Sequence, residues 1–346
     1  MSKQALALKY RPKDWNDVVQ QGAVVQILSY MIDHSEFPNC MLFAGAAGCG
    51  KTTSARIMAD KINKGKGSPI EIDAASNNGV EQIRDIAEKA KFRSIDSEYK
   101  VFIIDECHMI STAGWNSALK LIEEPPAKTI FIFCTTNPEK IPETIHSRVQ
   151  RFDFNKITFD GITDRLEYII NKENKDGDNI TFEKEAIDYI AKISEGGLRN
   201  AITMMDKCIS YSKQLTVNNV IEALGVEDYE LYFKLVSAML DNRANDVISI
   251  IEKLYLDGKD LKLFIKQYIS FLLDLCKYSL TENFNFIDIP MTYRDKLECF
   301  NDDEIIEINN YRDKIIDIYS LLRWESSPKL LIESTLLDLT FQGGKE

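Results

Sequence analysis

Eight consecutive residues, Gly45-Ala46-Ala47-Gly48-Cys49-Gly50-Lys51-Thr52, have the types and spacing that grip a phosphate chain. They fit the pattern G-x-x-x-x-G-K-S/T, between a short β-rich run and a helical stretch. Glycines there let backbone N–H groups wrap the β- and γ-phosphates, and Lys51 adds positive charge. Thr52 offers a hydroxyl to Mg²⁺, and the N-terminus of the following helix adds its dipole. Further along, Val101-Phe102-Ile103-Ile104-Asp105-Glu106 sets an apolar strand ahead of two acids. Such a strand buries its apolar part and presents carboxylates at its C-terminal edge. Asp105 is placed to hold Mg²⁺, and Glu106 to orient or deprotonate an attacking water. Taken alone, an Asp-Glu pair after a strand is an ordinary solvated turn. Downstream of a phosphate loop it completes the parts of a nucleotide hydrolase.

Two more polar groups fall where such a reaction uses them. The run from Thr129 leads into Thr135-Thr136-Asn137-Pro138, a polar end to a central strand that can sense a γ-phosphate or position water. Arg148 precedes a last strand, too far round the sheet edge to reach its own nucleotide but able to reach a neighbour's. An arginine supplied in trans is worth roughly 10³–10⁵ in rate. The alternative for Arg148 is a surface salt bridge.

The elements that must hold these groups are legible up to about residue 157. Short β-rich runs at Cys40–Ala44, Ile70–Asp73, Lys100–Asp105, Thr129–Thr135 and Val149–Phe154 alternate with helical stretches, which predicts a parallel sheet covered by helices on both faces. Residues 101–104 and 130–133 are continuously apolar and belong in the middle of the sheet. After Phe154 the pattern is helical. The spacing predicts helices over Phe182–Ile193, closed by Gly196-Gly197, then Leu198–Tyr211, then Val217–Leu224 between Thr216 as N-cap and Gly225. Further helices are expected over Tyr229–Leu240, Ala244–Leu256, Asp260–Leu280, Asp303–Trp324 and Pro328–Phe341. The fold class is therefore α/β followed by all-α, in three parts: an ATPase domain at 1–157, a helical lid at 158–225 and a further helical domain at 226–346.

Composition narrows the context. Among 346 residues the formal net charge is −12. Residues 1–157 carry 20 basic and 19 acidic side chains, whereas 225–346 carry 14 and 23. A phosphate-binding face is thus possible only as a local patch in the front part. The seven cysteines are scattered without a C-x-x-C pair, and no apolar signal core follows the N-terminus. Lys266 and Asp274 interrupt even the greasiest run. The expectation is a cytoplasmic protein with reduced thiols and no membrane association.

With these motifs in order along the chain, the sequence resembles the gamma/tau ATPase subunits of the DNA polymerase III clamp loader, a branch of the AAA+ P-loop NTPases. Leu8-Lys9-Tyr10-Arg11-Pro12 and Asp17-Val18-Val19-Gln20 match the family's start. Asp73-Ala74-Ala75-Ser76 matches its second strand, and Asp105 to Ile110 its Walker B strand. Leu121-Ile122-Glu123-Glu124-Pro125-Pro126, Thr135 to Pro138, Ser147-Arg148 and Gly197-Leu198-Arg199-Asn200-Ala201 match the later segments. The resemblance implies ATP and Mg²⁺ as ligands. It implies that Tyr10, Arg11, Pro12, Val18 and Val19 cup the adenine, with Leu8 beside them. Gly45, Ala46, Ala47, Gly48, Cys49, Gly50, Lys51, Thr52 and Thr53 then hold the phosphates. Thr136 is implied as sensor 1, Arg148 as the arginine finger, and Arg199 as the sensor 2 residue that reaches the γ-phosphate. The implied partners are a sliding clamp, primer-template DNA, and other loader subunits in a pentameric assembly with an accessory subunit.

Departures from the family pattern set further expectations. Only Lys61 to Gly67 fills the gap where bacterial members carry a four-cysteine module, so no zinc is expected. Val149 replaces the cysteine of the family's Ser-Arg-Cys segment, which leaves the arginine in place. The chain ends after the third domain, so the tau tail's ties to polymerase and helicase are expected to be absent. A compact Lys/Asn/Ile-rich version of this kind points to a phage or viral loader.

Small polar residues at helix starts, Ser76-Asn77-Asn78-Gly79 leading to Arg84 and Ser111-Thr112 leading to Lys120, are ordinary N-caps. They are also phosphate ligands through backbone N–H groups and hydroxyls. The resemblance favours DNA contacts there. Arg84, Lys89, Lys91 and Arg93 form the most basic stretch, although Glu81, Asp85 and Glu88 intersperse it. The acidic rear reads as an oligomeric collar, and a self-contained helical core explains its apolar residues equally well. Two rival functions are a branch-migration helicase, which needs a basic C-terminal recognition helix, and a non-hydrolysing scaffold subunit, which would lack the intact Lys51, Thr52, Asp105 and Glu106.

Overall fold

The computed structural model describes residues 4–225, 229–322, 325 and 327–342. The chain divides into two compact units, Met1–Thr181 with Ile190–Lys213, and Phe182–Tyr189 with Gln214–Glu346.

The first unit opens with a single helical turn, α1 (Leu6–Lys9), and the helix α2 (Gly22–Asp33). Five strands and four helices then alternate: β1 (Cys40–Gly45), α3 (Lys51–Ile62), β2 (Ile70–Asp73), α4 (Val80–Lys91), β3 (Lys100–Asp105), α5 (Thr112–Glu123), β4 (Thr129–Thr135), α6 (Glu143–His146) and β5 (Gln150–Phe154). All five strands are parallel, in the order β2-β3-β4-β1-β5. The continuous apolar runs are the interior strands, as burial on both faces requires. Their alternate residues go to opposite sides. Phe102, Ile104, Phe131 and Phe133 join Ile83, Ile86, Trp115 and Ile122 from α4 and α5 in one core. Val101, Ile103, Ile130 and Ile132 join Leu28, Ala55, Met58 and Ile62 from α2 and α3 in the other.

This topology decides where chemistry can occur. β1 and β3 both flank β4, so the loop after β1, the acids after β3 and the polar end of β4 emerge side by side at the carboxyl edge of the sheet. Open α/β sheets bind ligands at that edge. The last strand starts at Gln150 rather than Val149, which leaves Arg148 in the turn ahead of it.

After β5 come α7 (Phe159–Lys175), capped by the Thr158 hydroxyl, and then α8 (Lys184–Ile193) and α9 (Leu198–Tyr211). Strand structure does not end at Phe154: two-residue strands β6 (Thr181–Phe182) and β7 (Gln214–Leu215) follow. Phe182 therefore lies outside the helix expected from it, because two residues of strand leave no periodic signal. Of the pair expected to close α8, Gly196 takes the left-handed conformation at φ 86°, while Gly197 is extended as the N-cap of α9.

The second unit is helical beyond β7, with α10 (Val217–Leu224), α11 (Tyr229–Leu240), α12 (Ala244–Leu256), α13 (Leu261–Thr281), α14 (Arg294–Leu297), α15 (Asp302–Leu321) and α16 (Pro328–Gln342). Local chemistry sets several of these ends. Thr216 caps α10, Asp260 caps α13 through the Lys262 and Leu263 N–H groups, and Asn301 with Glu304 forms a capping box on α15. Trp324, the expected end of α15, lies outside the described residues. The buried rings of Tyr232, Phe264, Tyr268 and Phe271 pack against one another. Leu256, Leu280 and Leu330 stay exposed at 74%, 84% and 68%. No helix among the described residues is long and apolar enough to cross a membrane.

Candidate active site

The loop between β1 and α3 is held where it can meet a ligand from three sides. At Gly45 a side chain is impossible, since a Cβ would stand 2.3 Å from the Phe154 carbonyl oxygen. Gly50 is the N-cap of α3 in a left-handed conformation at φ 106°, with no side chain bonded to the first N–H groups of the helix. Those groups are the ones that bind anions at helix starts. Lys51 is buried, and its ammonium donates to the Gly45 carbonyl at 2.9 Å and the Ala46 carbonyl at 2.7 Å. A buried ammonium needs such partners, and phosphate oxygens are stronger ones.

Beside the loop, the Thr52 hydroxyl donates to Asp105 Oδ2 at 2.8 Å, while Asp105 Oδ1 accepts from the Glu106 N–H at 3.0 Å. A hydroxyl and a carboxylate in contact, with phosphate expected next to them, fit Mg²⁺, which takes one or two protein oxygens and completes its shell with phosphate and water. Among the described residues no group of three or more His, Cys, Asp or Glu side chains is arranged to hold a metal ion. Glu106 follows with a left-handed backbone at φ 48°. Its Oε2 accepts from the Thr136 hydroxyl at 3.0 Å, so the polar end of β4 is tied to the acid after β3.

A cleft of about 410 Å³ joins these groups to the front of the chain. Tyr10, Arg11, Pro12, Val18 and Val19 line it together with Ala47 through Thr53, Asp105, Glu106 and Arg199. Thr136, Gly45 and Ala46 are not among the lining residues: Thr136 bonds to Glu106, and the Gly45 and Ala46 carbonyls hold Lys51. Leu8 does not line the cleft: it is 49% exposed, and Ala7 takes the lining position. Arg56, Ile157, Leu198, Asn200 and Ile202 complete the lining. Leu198 and Asn200 flank Arg199 in the segment that matches the family, whereas Arg56, Ile157 and Ile202 sit in no motif and the isoleucines read as core.

The N-terminal segment is fixed by bonds no motif announces. The Tyr10 hydroxyl donates to Glu173 Oε1 at 2.6 Å, Lys9 pairs with the same oxygen at 2.5 Å, and the Arg165 guanidinium donates to the Tyr10 carbonyl at 3.2 Å. The Leu6 N–H donates to Asp206 of α9 at 2.9 Å. Burial, and then the bond to Glu173, push the Tyr10 hydroxyl up to about 12, so it stays a donor at any physiological pH. On the opposite side α9 approaches the phosphate loop, where a Cβ on Gly48 would lie 3.3 Å from Gly197 Cα and 3.4 Å from Arg199. Gly48 itself sits at φ 74°. Gly48→Ala is therefore expected to weaken nucleotide binding about tenfold, since a left-handed non-glycine residue costs roughly 1–2 kcal/mol and the added methyl presses on Arg199. Titration calorimetry checks it.

Arg148 lies outside the cleft. Its Nε pairs with Glu123 at 2.7 Å, and one terminal nitrogen donates to the Thr144 carbonyl at 2.7 Å and the Ser147 hydroxyl at 3.0 Å. The two expected DNA-contacting turns do come together, because the Ser111 N–H donates to the Asn78 carbonyl at 3.1 Å. They differ in detail. Ser111 caps α5 through the Gly114 N–H, and Thr112 is the first residue of that helix, whereas Ser76 and Asn77 bond back to the Asp73 carbonyl and leave Gly79 as the N-cap of α4. Arg84 is exposed on α4, and on the same helix Lys89 pairs with Asp85 and Lys91 with Glu88.

Comparison with known proteins agrees with this geometry. Residues 68–158 match the family model for DNA polymerase III, delta subunit, and residues 161–214 that for the DNA polymerase III clamp loader subunit, ATPase lid domain. DNA polymerase III subunit tau of Bacillus subtilis is 33% identical over 365 residues, an alignment covering 98% of this chain and 63% of that protein. Along nearly its whole length the chain is similar to the DNA polymerase III gamma/tau subunits. Subunit tau of Escherichia coli, another relative in the gamma/tau family, is 32% identical over 79% of this chain and 45% of its own length. The chain thus spans between 45% and 63% of these two relatives. Among solved structures, the Holliday junction branch migration motor RuvB of Thermotoga maritima aligns over 72% of this chain and 86% of its own, with a TM-score of 0.50 at 20% identity. That likeness is one of fold, and the fold is the P-loop AAA+ type. The lid match takes in α9, which carries Arg199 to the cleft.

Proposed function

We propose that this chain is the ATP-hydrolysing subunit of a sliding-clamp loader, which opens a ring-shaped clamp and places it on primer-template DNA. One arrangement carries the reading: in a chain similar to the gamma/tau subunits, the phosphate loop, the Thr52–Asp105 pair, Glu106 and Arg199 share a single cleft. Lys51 gives up the Gly45 and Ala46 carbonyls for β- and γ-phosphate oxygens, and backbone N–H groups of residues 45–52 wrap the rest. Thr52 and Asp105 would hold Mg²⁺, which when bound neutralises phosphate charge. Glu106 turns a water toward the γ-phosphorus and takes its proton as the bond to the β-phosphate oxygen breaks. Thr136 keeps the carboxylate aimed, and Arg199 from the lid binds the γ-phosphate. Tyr10, Arg11, Pro12, Val18 and Val19 cup the adenine. Arg148 serves the nucleotide of the adjacent subunit.

In this reading residues 1–157 are the ATPase domain, 158–225 the lid and 226–346 the collar through which subunits join in a pentamer with an accessory subunit. The exposed leucines of α12, α13 and α16 support the last assignment. The joined turns at Asn78 and Ser111, with Ser76, Asn77, Gly79, Thr112 and Arg84, follow the DNA backbone. The work is done in the cytoplasm. ATP turnover of the purified chain with its accessory subunit, with and without clamp and primed DNA, tests the whole. Stimulation that needs clamp and primed DNA together is expected. Equal stimulation by any DNA, indifferent to the clamp, would replace the loader with a branch-migration helicase, and no turnover in any mixture would leave a scaffold.

A further inference from the structure

Glu106 is held by more than Thr136. His108 follows it by two residues, with its side chain only 8% exposed, and Nδ1 stands 3.3 Å from Glu106 Oε2 and 3.2 Å from Thr135 Oγ1. The other ring nitrogen, Nε2, lies 3.3 Å from the amide nitrogen of Asn137. Thr135, Thr136 and Asn137 are consecutive, and the Asn137 N–H also donates to Thr135 Oγ1 at 3.0 Å. The acid after β3 is thus triangulated from the end of β4, once directly and once through an imidazole.

With the Asn137 amide nitrogen facing the ring, the bonding order sets the imidazole proton. An amide N–H₂ can only donate, so Asn137 makes Nε2 an acceptor and places the imidazole proton on Nδ1. That proton lies between Thr135 Oγ1 at 3.2 Å and Glu106 Oε2 at 3.3 Å, and the Glu106 carboxylate can only accept it. Both donors, Thr136 O–H and His108 Nδ1–H, act on Oε2, so Oε1 is the oxygen left to take a proton from water. A carboxylate pinned through one oxygen has its other oxygen fixed in direction. That matters here because Glu106 sits on a left-handed backbone that does not by itself settle its rotamer.

We infer that His108 is a positioning residue for hydrolysis: as the Nδ1–H tautomer fixed by Asn137, it aims the Glu106 carboxylate at the attacking water. The inference rests on the proposed role of Glu106 as the group that activates water. It assigns no contact with nucleotide to His108, which is not among the cleft-lining residues.

Two measurements on the full chain test it. The protein has three histidines, so ring-nitrogen NMR of histidine-labelled chain, with His34 and His146 assigned by single substitution, reads the tautomer directly. Protonated Nδ1 on His108 is expected, with a resonance that moves in Asn137→Ala and Glu106→Gln. An Nε2–H tautomer overturns the inference. The second measurement compares side chains by which ring nitrogen they replace. His108→Asn sets an amide N–H near the place of Nδ1, whereas His108→Gln sets one near Nε2. The asparagine variant should keep kcat within about threefold, while His108→Gln and His108→Ala should lose roughly 10- to 100-fold in kcat with ATP affinity unchanged, the cost of a misaimed group. Equal losses in the asparagine and glutamine variants, or losses that track thermal stability, would show a packing role and overturn the inference, as would full activity in all three. Glu106→Gln is the control: if it turns over ATP at the full rate, the reading of Glu106 itself has failed.

Discussion

Lys51→Ala is expected to abolish detectable ATP binding while leaving the fold intact. The side chain is the buried cation of the phosphate loop, and removing it deletes the charge-assisted bonds that each contribute about 1.5–3 kcal/mol. With two such bonds lost, affinity falls by roughly a hundredfold or more, since each 1.4 kcal/mol is tenfold. The fold is expected to survive, because the partners that Lys51 leaves behind are carbonyls of Gly45 and Ala46, both partly accessible to water. The melting temperature without nucleotide should therefore match that of the wild type, whereas the rise that saturating ATP gives the wild type should vanish. Titration calorimetry and thermal unfolding read the two halves of the statement. A variant that still bound ATP tightly would remove the phosphate-loop assignment.

How far the sequence carries this site can be read from single residues. The phosphate loop was legible because it needs a rare combination in consecutive positions, and the two acids because they follow an apolar strand downstream of that loop. The interior strands were legible because burial on both faces permits only apolar residues. What escaped notice was assembled by tertiary contact. Glu173 lies far along α7 from Tyr10, yet it is buried and receives the tyrosine hydroxyl. Ile157 and Ile202 line the cleft through the placement of their elements. Ser76 and Ser111 are a sharper case, since both are small polar residues ahead of a helix and the sequence offered the same two readings for each. Only Ser111 caps its helix. Ser76 and Asn77 close the turn onto Asp73 instead, because α4 begins beyond them at Val80.

The resemblance to RuvB and the similarity to the gamma/tau subunits bear on different questions. At 20% identity the first concerns the fold, and the phosphate-binding edge of the sheet belongs to that fold. The second similarity reaches further along the chain, since the alignment to the Bacillus subtilis subunit covers 98% of it. The second unit falls within that alignment. Among the described residues it offers acidic helices and exposed leucines, a composition suited to association with other protein chains and poorly suited to gripping a duplex.

Arg148→Ala is expected to bind ATP as tightly as the wild type and to hydrolyse it roughly a thousandfold more slowly, the lower end of what an arginine in trans contributes. The geometry separates the two effects. Arg148 is not part of the cleft that would hold its own subunit's nucleotide, and its guanidinium is engaged by Glu123, the Thr144 carbonyl and the Ser147 hydroxyl at an exposed position. Those three contacts orient a cation outward at modest cost, because an exposed ion pair contributes only about 0–1 kcal/mol and can be exchanged for a phosphate. Mixing variants turns this into a test of direction. A Lys51→Ala subunit has no nucleotide of its own but carries an intact Arg148, while an Arg148→Ala subunit binds ATP and lacks the finger. Each alone should be nearly inactive. Mixed together with the accessory subunit, clamp and primed DNA, they should recover turnover at every junction where the first presents its arginine to the second. A mixture no faster than its separate components, with assembly verified by light scattering, would remove the in-trans role and leave Arg148 as a surface salt bridge to Glu123.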